Sequence, residues 1–350
     1  MSGPRFLVAP DSFKGTMPAS EVAAALAAGI EEAGGVADLC PVADGGEGTL
    51  DALRGSVPGQ LVWHVVLAPD GRQVRASYLS GHDGTTAVVE TAAASGLHLI
   101  DPSTVDAYTA SSAGTGQLIA AAARAGAEQI LIGVGGSGFS DGGFGALAAI
   151  DEAGGLGTAQ LTVLCDVVTP YEDAARVFGP QKGADPDMVG RLSERLVRNA
   201  RSLPNDPTGI PRTGAAGGLA GALWSAHGAE LVSGIDTVLE RVDFGVRLQQ
   251  ADAVVTGEGR LDEQTVNGKV LDGVTRWARA QHVPVYAFVG QNEATEAVLR
   301  ALGIAGVATA GNPAALQRAA FQLTSQLSTT SATESHRSRA ALQDKEVKTP

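Results

Sequence analysis

The chain is short of positive charge, of cysteine and of aromatic residues. Lys and Arg number 25 against 38 Asp and Glu, a formal net charge of −13. No basic stripe is visible along the sequence, which argues against nucleic acid as a partner. A small anionic ligand is still allowed, because a few local cations and a metal ion reverse the field within one cleft. The two cysteines, Cys40 and Cys165, make neither a CxxC nor a zinc spacing. Both lie in apolar runs and read as small buried hydrophobes. The six histidines are scattered, with no HExxH among them. No run approaches the ~18 apolar residues of a membrane span, and the apolar run before Asp11 is too short for a signal peptide. The expectation is a soluble, cytoplasmic protein without a membrane partner. Aromatics are only 4%, so Ala, Val and Leu must build the core; at 44% hydrophobic, 350 residues suffice for about two domains.

Glycine is what the chain has in excess, with 46 residues set in discrete loops rather than in a repeat. The most informative loop follows Ile130-Leu131-Ile132, an apolar run of the kind a buried parallel strand shows. There Gly133, Gly135, Gly136, Gly138, Gly142 and Gly143 surround Ser137, Ser140 and Asp141, and helical spacing begins at Phe144. Strand, glycine loop and helix start make an anion site, since glycines let backbone N–H groups approach phosphate oxygens. The alternative is a tight strand-to-helix turn with no ligand. An acid in such a loop suggests a metal ligand or a base beside a phosphate.

The same grammar recurs. Arg5 to Ala9 reads as a strand ending at Asp11, followed by a loop with Lys14 and a helix from near Ser20 to Ala33. A strand over 38–42 ends in Ala43-Asp44-Gly45-Gly46-Glu47-Gly48-Thr49, and a helix begins near Leu50. Leu61 to Leu67, Val74 to Gly81 and Thr86 to Glu90 read as strands joined by short turns, which points to a mixed or antiparallel region. Leu161 to Leu164 stops at Cys165-Asp166, and Ala251 to Val255 stops at a loop carrying Gly257, Glu258 and Arg260. Ligands in open α/β sheets sit outside the carboxyl ends of the strands. Acids at several strand ends therefore predict a cleft lined by carboxylates, although each Asp taken singly could be a helix cap.

Several chemistries are excluded or weakened. Gly133-x-Gly135-x-x-Gly138 matches the dinucleotide fingerprint, but Asp151 and Glu152 come too early for the ribose-binding acid. Phe139 breaks a GxSxG pattern around Ser137, and no GxxxxGK[ST] is present. Acids suited to Mg²⁺, glycine loops suited to phosphate, and the loop cations Lys14, Lys182, Arg260 and Lys269 remain; these are the parts of phosphoryl transfer. Lys182 and Lys269 are as well explained by surface charge as by function.

Six segments together resemble the type I glycerate kinases. They are Ala9-Pro10-Asp11-Ser12-Phe13-Lys14-Gly15, Ala43 to Thr49, Gly135-Gly136-Ser137 with Asp141-Gly142-Gly143, Val177 to Ala184, Gly214 to Gly218, and Thr256 to Arg260. The resemblance runs in order over about Arg5 to Leu327. It implies ATP-dependent phosphorylation of glycerate, commonly to 2-phosphoglycerate, with Mg²⁺. It also implies two α/β domains, one flavodoxin-like and built from both chain ends, with a mixed α/β domain inserted. We set the expected boundaries at 1–60 with 235–327, and 61–234. Residues 328–350, mostly Ser, Thr and charged, are expected to be a disordered tail. Lys14, Asp44, Asp141 and Arg260 are the candidate catalytic residues. Asp11, Ser12, Gly45, Glu47, Gly135, Gly136, Ser137, Gly257 and Glu258 are the candidate substrate- or phosphate-binding residues. Asp44, Asp141 and Asp166 are the candidate metal ligands. A homodimer is the one assembly considered. A kinase for another small hydroxy acid or polyol, or a catalytically weakened metabolite-binding relative, are the alternatives.

The chain departs from the family pattern where Gly138-Phe139-Ser140 replaces Ala-Thr-Asn and Val168-Thr169-Pro170 replaces Thr-Asn-Pro, and it is shorter between Ile150 and Leu161. A bulky Phe139 and a hydroxyl in place of an amide predict weaker use of glycerate, improved by restoring Ala-Thr-Asn.

Overall fold

The structure is a computed structural model that describes residues 3–101, 103–262 and 269–346, with side chains described through 329. Its strands are β1 (Arg5–Val8), β2 (Val36–Leu39), β3 (Gly59–Leu67), β4 (Gln73–Gly81), β5 (Thr86–Glu90), β6 (Gln129–Gly133), β7 (Gln160–Leu164), β8 (Glu230–Val232), β9 (Ala253–Leu261), β10 (Val285–Asn292) and β11 (Gly306–Thr309). Its helices are α1 (Ala19–Glu32), α2 (Thr49–Leu53), α3 (Thr91–Ser95), α4 (Ala113–Arg124), α5 (Phe144–Glu152), α6 (Ala174–Phe178), α7 (Pro186–Ser202), α8 (Leu219–His227), α9 (Gly234–Arg241), α10 (Phe244–Leu248), α11 (Val270–Ala280), α12 (Glu296–Leu302) and α13 (Pro313–Glu346).

Two compact units divide the chain. The first is Met1–Pro41 with Asp243–Val266 and Val270–Pro350; the second is Val42–Val242 with Asn267–Lys269. The expected changeover at 60/61 thus falls at Pro41/Val42, and the return expected at 234/235 falls at Val242/Asp243. The reason lies in packing: the Asp44–Thr49 loop and α2 rest on elements of the second unit, α9 among them.

In the first unit five parallel strands run in the order β11-β10-β9-β1-β2. Counted along this unit alone the order is 2-1-3-4-5, the flavodoxin-like arrangement, with its topological switch between β1 and β9. Alternation decides the two faces. Phe6, Val8, Val255 and Phe288 join Val22, Leu26 and Ile30 of α1 and Leu316 and Ala320 of α13 in one core. Ala287, Val289 and Leu261 join Leu271 of α11 and Leu302 of α12 in the other. Helices α1 and α13 meet at Gly29, where a Cβ would stand 2.0 Å from the Gln317 carbonyl oxygen. Helix α13 takes in 328–346 of the segment expected to be disordered, and 347–350 lie outside the described residues.

The second unit holds a six-stranded sheet ordered β3-β4-β5-β6-β7-β8. The first two pairings are antiparallel and the rest parallel, as the short turns after Leu67 and Gly81 lead one to expect. Glu90, Gly133, Leu164 and Val232 stand in register, so β5 to β8 end level. Ile130, Ile132, Leu161 and Val163 fill the core beneath this edge, with Leu118 and Ile119 of α4 and Leu219 and Leu223 of α8.

Candidate active site

The level edge of the second unit is where its sequence-predicted residues gather. Asp44 lies five residues beyond β2 and belongs to no strand end of its own. Its loop lies instead across the ends of β6 and β7. A Cβ on Gly45 would stand 2.4 Å from the Leu164 carbonyl oxygen, and one on Gly135 would stand 2.4 Å from Gly46 Cα. The Gly135 N–H donates to the Gly45 carbonyl at 3.1 Å. Only glycines allow backbones to approach so closely. Asp44 Oδ1 accepts from the Gly46 N–H at 3.1 Å.

Asp166, two residues past the end of β7, accepts from Ser233 Oγ (3.0 Å), Gly234 N–H (2.9 Å) and Ile235 N–H (3.1 Å) at the start of α9. Burial pushes its carboxyl up to about 7, with the Asp44 charge pushing the same way. Glu90, at the end of β5, accepts from the Leu50 N–H at 2.7 Å and so holds the start of α2. Burial raises it to about 7 against that bond, and the charges of Asp51 and Glu47 add to the rise. Glu47 itself is exposed.

The loop from Gly135 to Gly143 is held from outside by side chains. Four consecutive carbonyls each accept one donor: Phe139 from Lys182 Nζ (2.5 Å), Ser140 from Arg195 Nη2 (2.7 Å), Asp141 from Asn199 Nδ2 (3.1 Å) and Gly142 from Tyr171 Oη (2.9 Å). The Gly142 N–H donates to the Gly217 carbonyl, where Gly217 sits at φ +60 with the Phe139 backbone pressed against it. Lys182 also donates to Ser137 Oγ at 3.0 Å and is buried. Burial pulls its ammonium down to about 7, opposed by the Asp141 charge.

Asp141 has a structural task within its own loop. Its Oδ2 accepts from the Ser112 N–H and Oγ (both 2.8 Å) and from the Gly145 N–H (3.1 Å), and its Oδ1 accepts from the Gly143 N–H (2.9 Å). The carboxylate ties the starts of α4 and α5 together, with Oδ2 taking most of the donors and Oδ1 only the Gly143 N–H. The altered loop differs from expectation. Phe139 points into the core and is 1% exposed. A Cβ at Gly138 would stand 2.8 Å from the Gly96 carbonyl oxygen, so a side chain there forces the backbone to shift. The Ser140 hydroxyl is buried without a hydrogen-bond partner among the described residues.

The first unit carries the remaining candidates at its switch point. The Asp11 N–H donates to the Gly257 carbonyl at 2.8 Å, and Asp11 Oδ1 accepts from the Ser12 N–H at 2.6 Å. Asp11 and Glu258 are buried, whereas Lys14 is exposed. Gly257, Glu258 and Arg260 lie within β9, not in a loop after it, because the β9–β10 ladder continues to Leu261↔Asn292. Arg260 is exposed and paired to Glu293 and Asp262, so its charge is committed to a surface network.

Among the described residues no group of three or more His, Cys, Asp or Glu could hold a metal ion. The Asp44 and Asp166 carboxylates do suit Mg²⁺, which takes one or two carboxylates and completes its shell with phosphates and water. The sequence does not single out Lys182, Arg195, Asn199 and Tyr171 as loop supports. Lys182 sits in a glycine-bearing motif that marks it, whereas the other three carry no local signal.

A flavodoxin-like parallel sheet and a mixed sheet, the latter with glycines and acids gathered at its carboxyl edge, define an α/β protein. The chain matches the family model described as the glycerate kinase family over residues 6–154 and 152–337. It is 41% identical over 323 residues to the glycerate kinase of Bacillus subtilis (strain 168), covering 82% of this chain and 85% of that protein. It is 38% identical over 323 residues to the glycerate 2-kinase of Escherichia coli (strain K12), with the same coverage. A crystal structure from Salmonella typhimurium LT2, provisionally assigned as glycerate kinase 2, superposes with a TM-score of 0.80 at 34% identity. It covers 94% of this chain and 100% of that one. The chain belongs to the glycerate kinase family.

Proposed function

We propose that this protein is an ATP-dependent kinase that transfers the γ-phosphoryl group of ATP to glycerate, giving 2-phosphoglycerate and ADP. The observation that carries the reading is the Asp44–Thr49 loop lying across the ends of β6 and β7 beside Asp166, in a chain of this family. Glycine backbones and paired carboxylates at one strand edge supply the positioning and charge neutralisation on which phosphoryl transfer depends. Asp44 and Asp166 would hold Mg²⁺, which when bound neutralises charge on the phosphates. The backbone N–H groups of Gly45 and Gly136 and the hydroxyl of Ser137 receive anionic oxygens, while Gly135, its N–H given to the Gly45 carbonyl, holds the two loops together. As the substrate hydroxyl oxygen bonds to phosphorus, the bond to the ADP oxygen breaks and the hydroxyl proton passes to a carboxylate of the Asp44–Asp166 pair. Asp11, Ser12, Gly257 and Glu258 are retained as substrate- or phosphate-binding residues, and Lys14 as a catalytic residue. Asp141 is reassigned to holding the loop, and Arg260 to the surface. A cytoplasmic location fits two free, buried cysteines.

The test is ADP release with ATP, Mg²⁺ and a panel of C3 and C4 hydroxy acids and polyols, repeated in excess EDTA. Glycerate should be the best acceptor and EDTA should abolish turnover. A better polyol or a different hydroxy acid would replace the substrate, and full turnover in EDTA would remove the metal.

A further inference from the structure

Lys182 stands out among the ionisable side chains outside the carboxylate cluster. It is only 3% exposed. Its two hydrogen-bond acceptors, Ser137 Oγ and the Phe139 carbonyl, are neutral. None of the ion pairs among the described residues includes it. Asp141 acts on it only through space, and that carboxylate is already taken up by Ser112 and the loop N–H groups. A buried ammonium without a paired carboxylate is costly unless something anionic completes it.

The geometry of Ser137 shows where that anion belongs. Ser137 follows Gly136, which sits at φ +68, and the Gly136 carbonyl accepts from the Leu97 N–H. Ser137 is thereby fixed just beyond the carboxyl end of β6, beside the Gly135 backbone that meets the Asp44–Thr49 loop. A serine hydroxyl has one proton to give. With Lys182 donating to its oxygen, that proton is free to point to a third group.

We infer that Lys182 is a positioning residue that turns the Ser137 hydroxyl into a charge-backed donor for an anionic oxygen of the reactants, either the carboxylate of the hydroxy acid or a phosphoryl oxygen of ATP. The inference rests on the kinase reading for the identity of the two anions. The depressed affinity of Lys182 for its proton fits, because an arriving anion restores the charged form that burial disfavours.

The experiment measures Lys182→Met, Ser137→Ala and the double variant by calorimetric binding of glycerate and of ATP with Mg²⁺, and by steady-state kinetics. Thermal unfolding confirms that each variant is folded. Loss of a charge-assisted hydrogen bond corresponds to about a ten- to a hundredfold loss in affinity for one anion, with the other little changed. Glycerate as the affected ligand assigns the carboxylate; ATP assigns the phosphoryl oxygen. Because Lys182 acts through Ser137, the double variant should be no worse than the weaker single one. A purely structural lysine would lower the unfolding temperature and leave both affinities unchanged. Folded single variants that bind both ligands like the wild type, or effects that simply add, would overturn the inference. If the wild type binds these anions without phosphorylating glycerate, the kinase reading alone falls. If it binds neither, both fall.

Discussion

Gly138 shows how one residue's surroundings set its tolerance. A methyl group there would meet the backbone oxygen of Gly96 at 2.8 Å and Leu97 Cα at 3.1 Å. Backbone cannot swing aside like a side chain, and overpacking of this kind costs about 1–3 kcal/mol. Gly138→Ala should lower the unfolding temperature measurably, and exchanging Gly138-Phe139-Ser140 for Ala-Thr-Asn should reduce activity. The sequence alone leads to the opposite expectation, because it does not reveal that Phe139 is a core residue or that Gly96 passes so close.

Glu90 gives a second residue-scale prediction. Its carboxyl titrates near 7 in the folded chain against an ordinary 4.5. Between those values the folded state keeps a proton that the unfolded state has released. This contribution to stability is therefore complete below about pH 4.5 and is lost as pH rises to about 7. Asp166 contributes with the same sign. Glu90→Gln should flatten the fall in unfolding temperature across this window, and an unchanged slope would place the carboxyl in water. The strand-end acids are legible in the sequence because each sits at the close of an apolar run. The partner of Lys182 is not, since Ser137 lies 45 residues away and meets it only through tertiary packing.

At the scale of elements, α1 and α13 cross at Gly29 with almost no space between their backbones. Gly29→Ala should separate them and destabilise the first unit by more than an exposed helical Gly→Ala change would stabilise it. Among the described side chains of α13, Leu316, Ala320 and Thr324 are fully buried. Truncation before Ser328 should therefore leave the unfolding temperature within a degree or two, whereas truncation before Pro313 should abolish cooperative unfolding of that unit. Most elements are legible: the antiparallel run from β3 to β5 follows from its turns, and β6 from its apolar run. The end of β9 is not. Gly257 and Glu258 look like a loop locally, yet pairing with β10 extends the strand through them, with the Phe288 carbonyl oxygen lying where a Gly257 side chain would begin. Tertiary ladders override local glycine signals in this way.

For the whole molecule, six ordered motifs spread over both units make the family legible in the amino-acid sequence, and the flavodoxin-like strand order agrees with that reading. The unit boundary is less legible. Residues 42–60 follow β2 without a linker or composition shift, and it is tertiary packing, of Gly45 and Gly46 on β6 and β7 and of α2 on β5 and α9, that assigns them to the second unit. What the whole chain does is transfer a phosphoryl group, and phosphorus NMR of the purified protein with ATP, Mg²⁺ and glycerate tests that most directly. ADP and 2-phosphoglycerate should appear in equal amounts. Asp44→Asn and Asp166→Asn should stay folded and lose activity by at least about a hundredfold, the scale expected when electrostatic stabilisation of the transition state is removed. ATP left intact, phosphate released without phosphoglycerate, or near wild-type rates in both variants would contradict it.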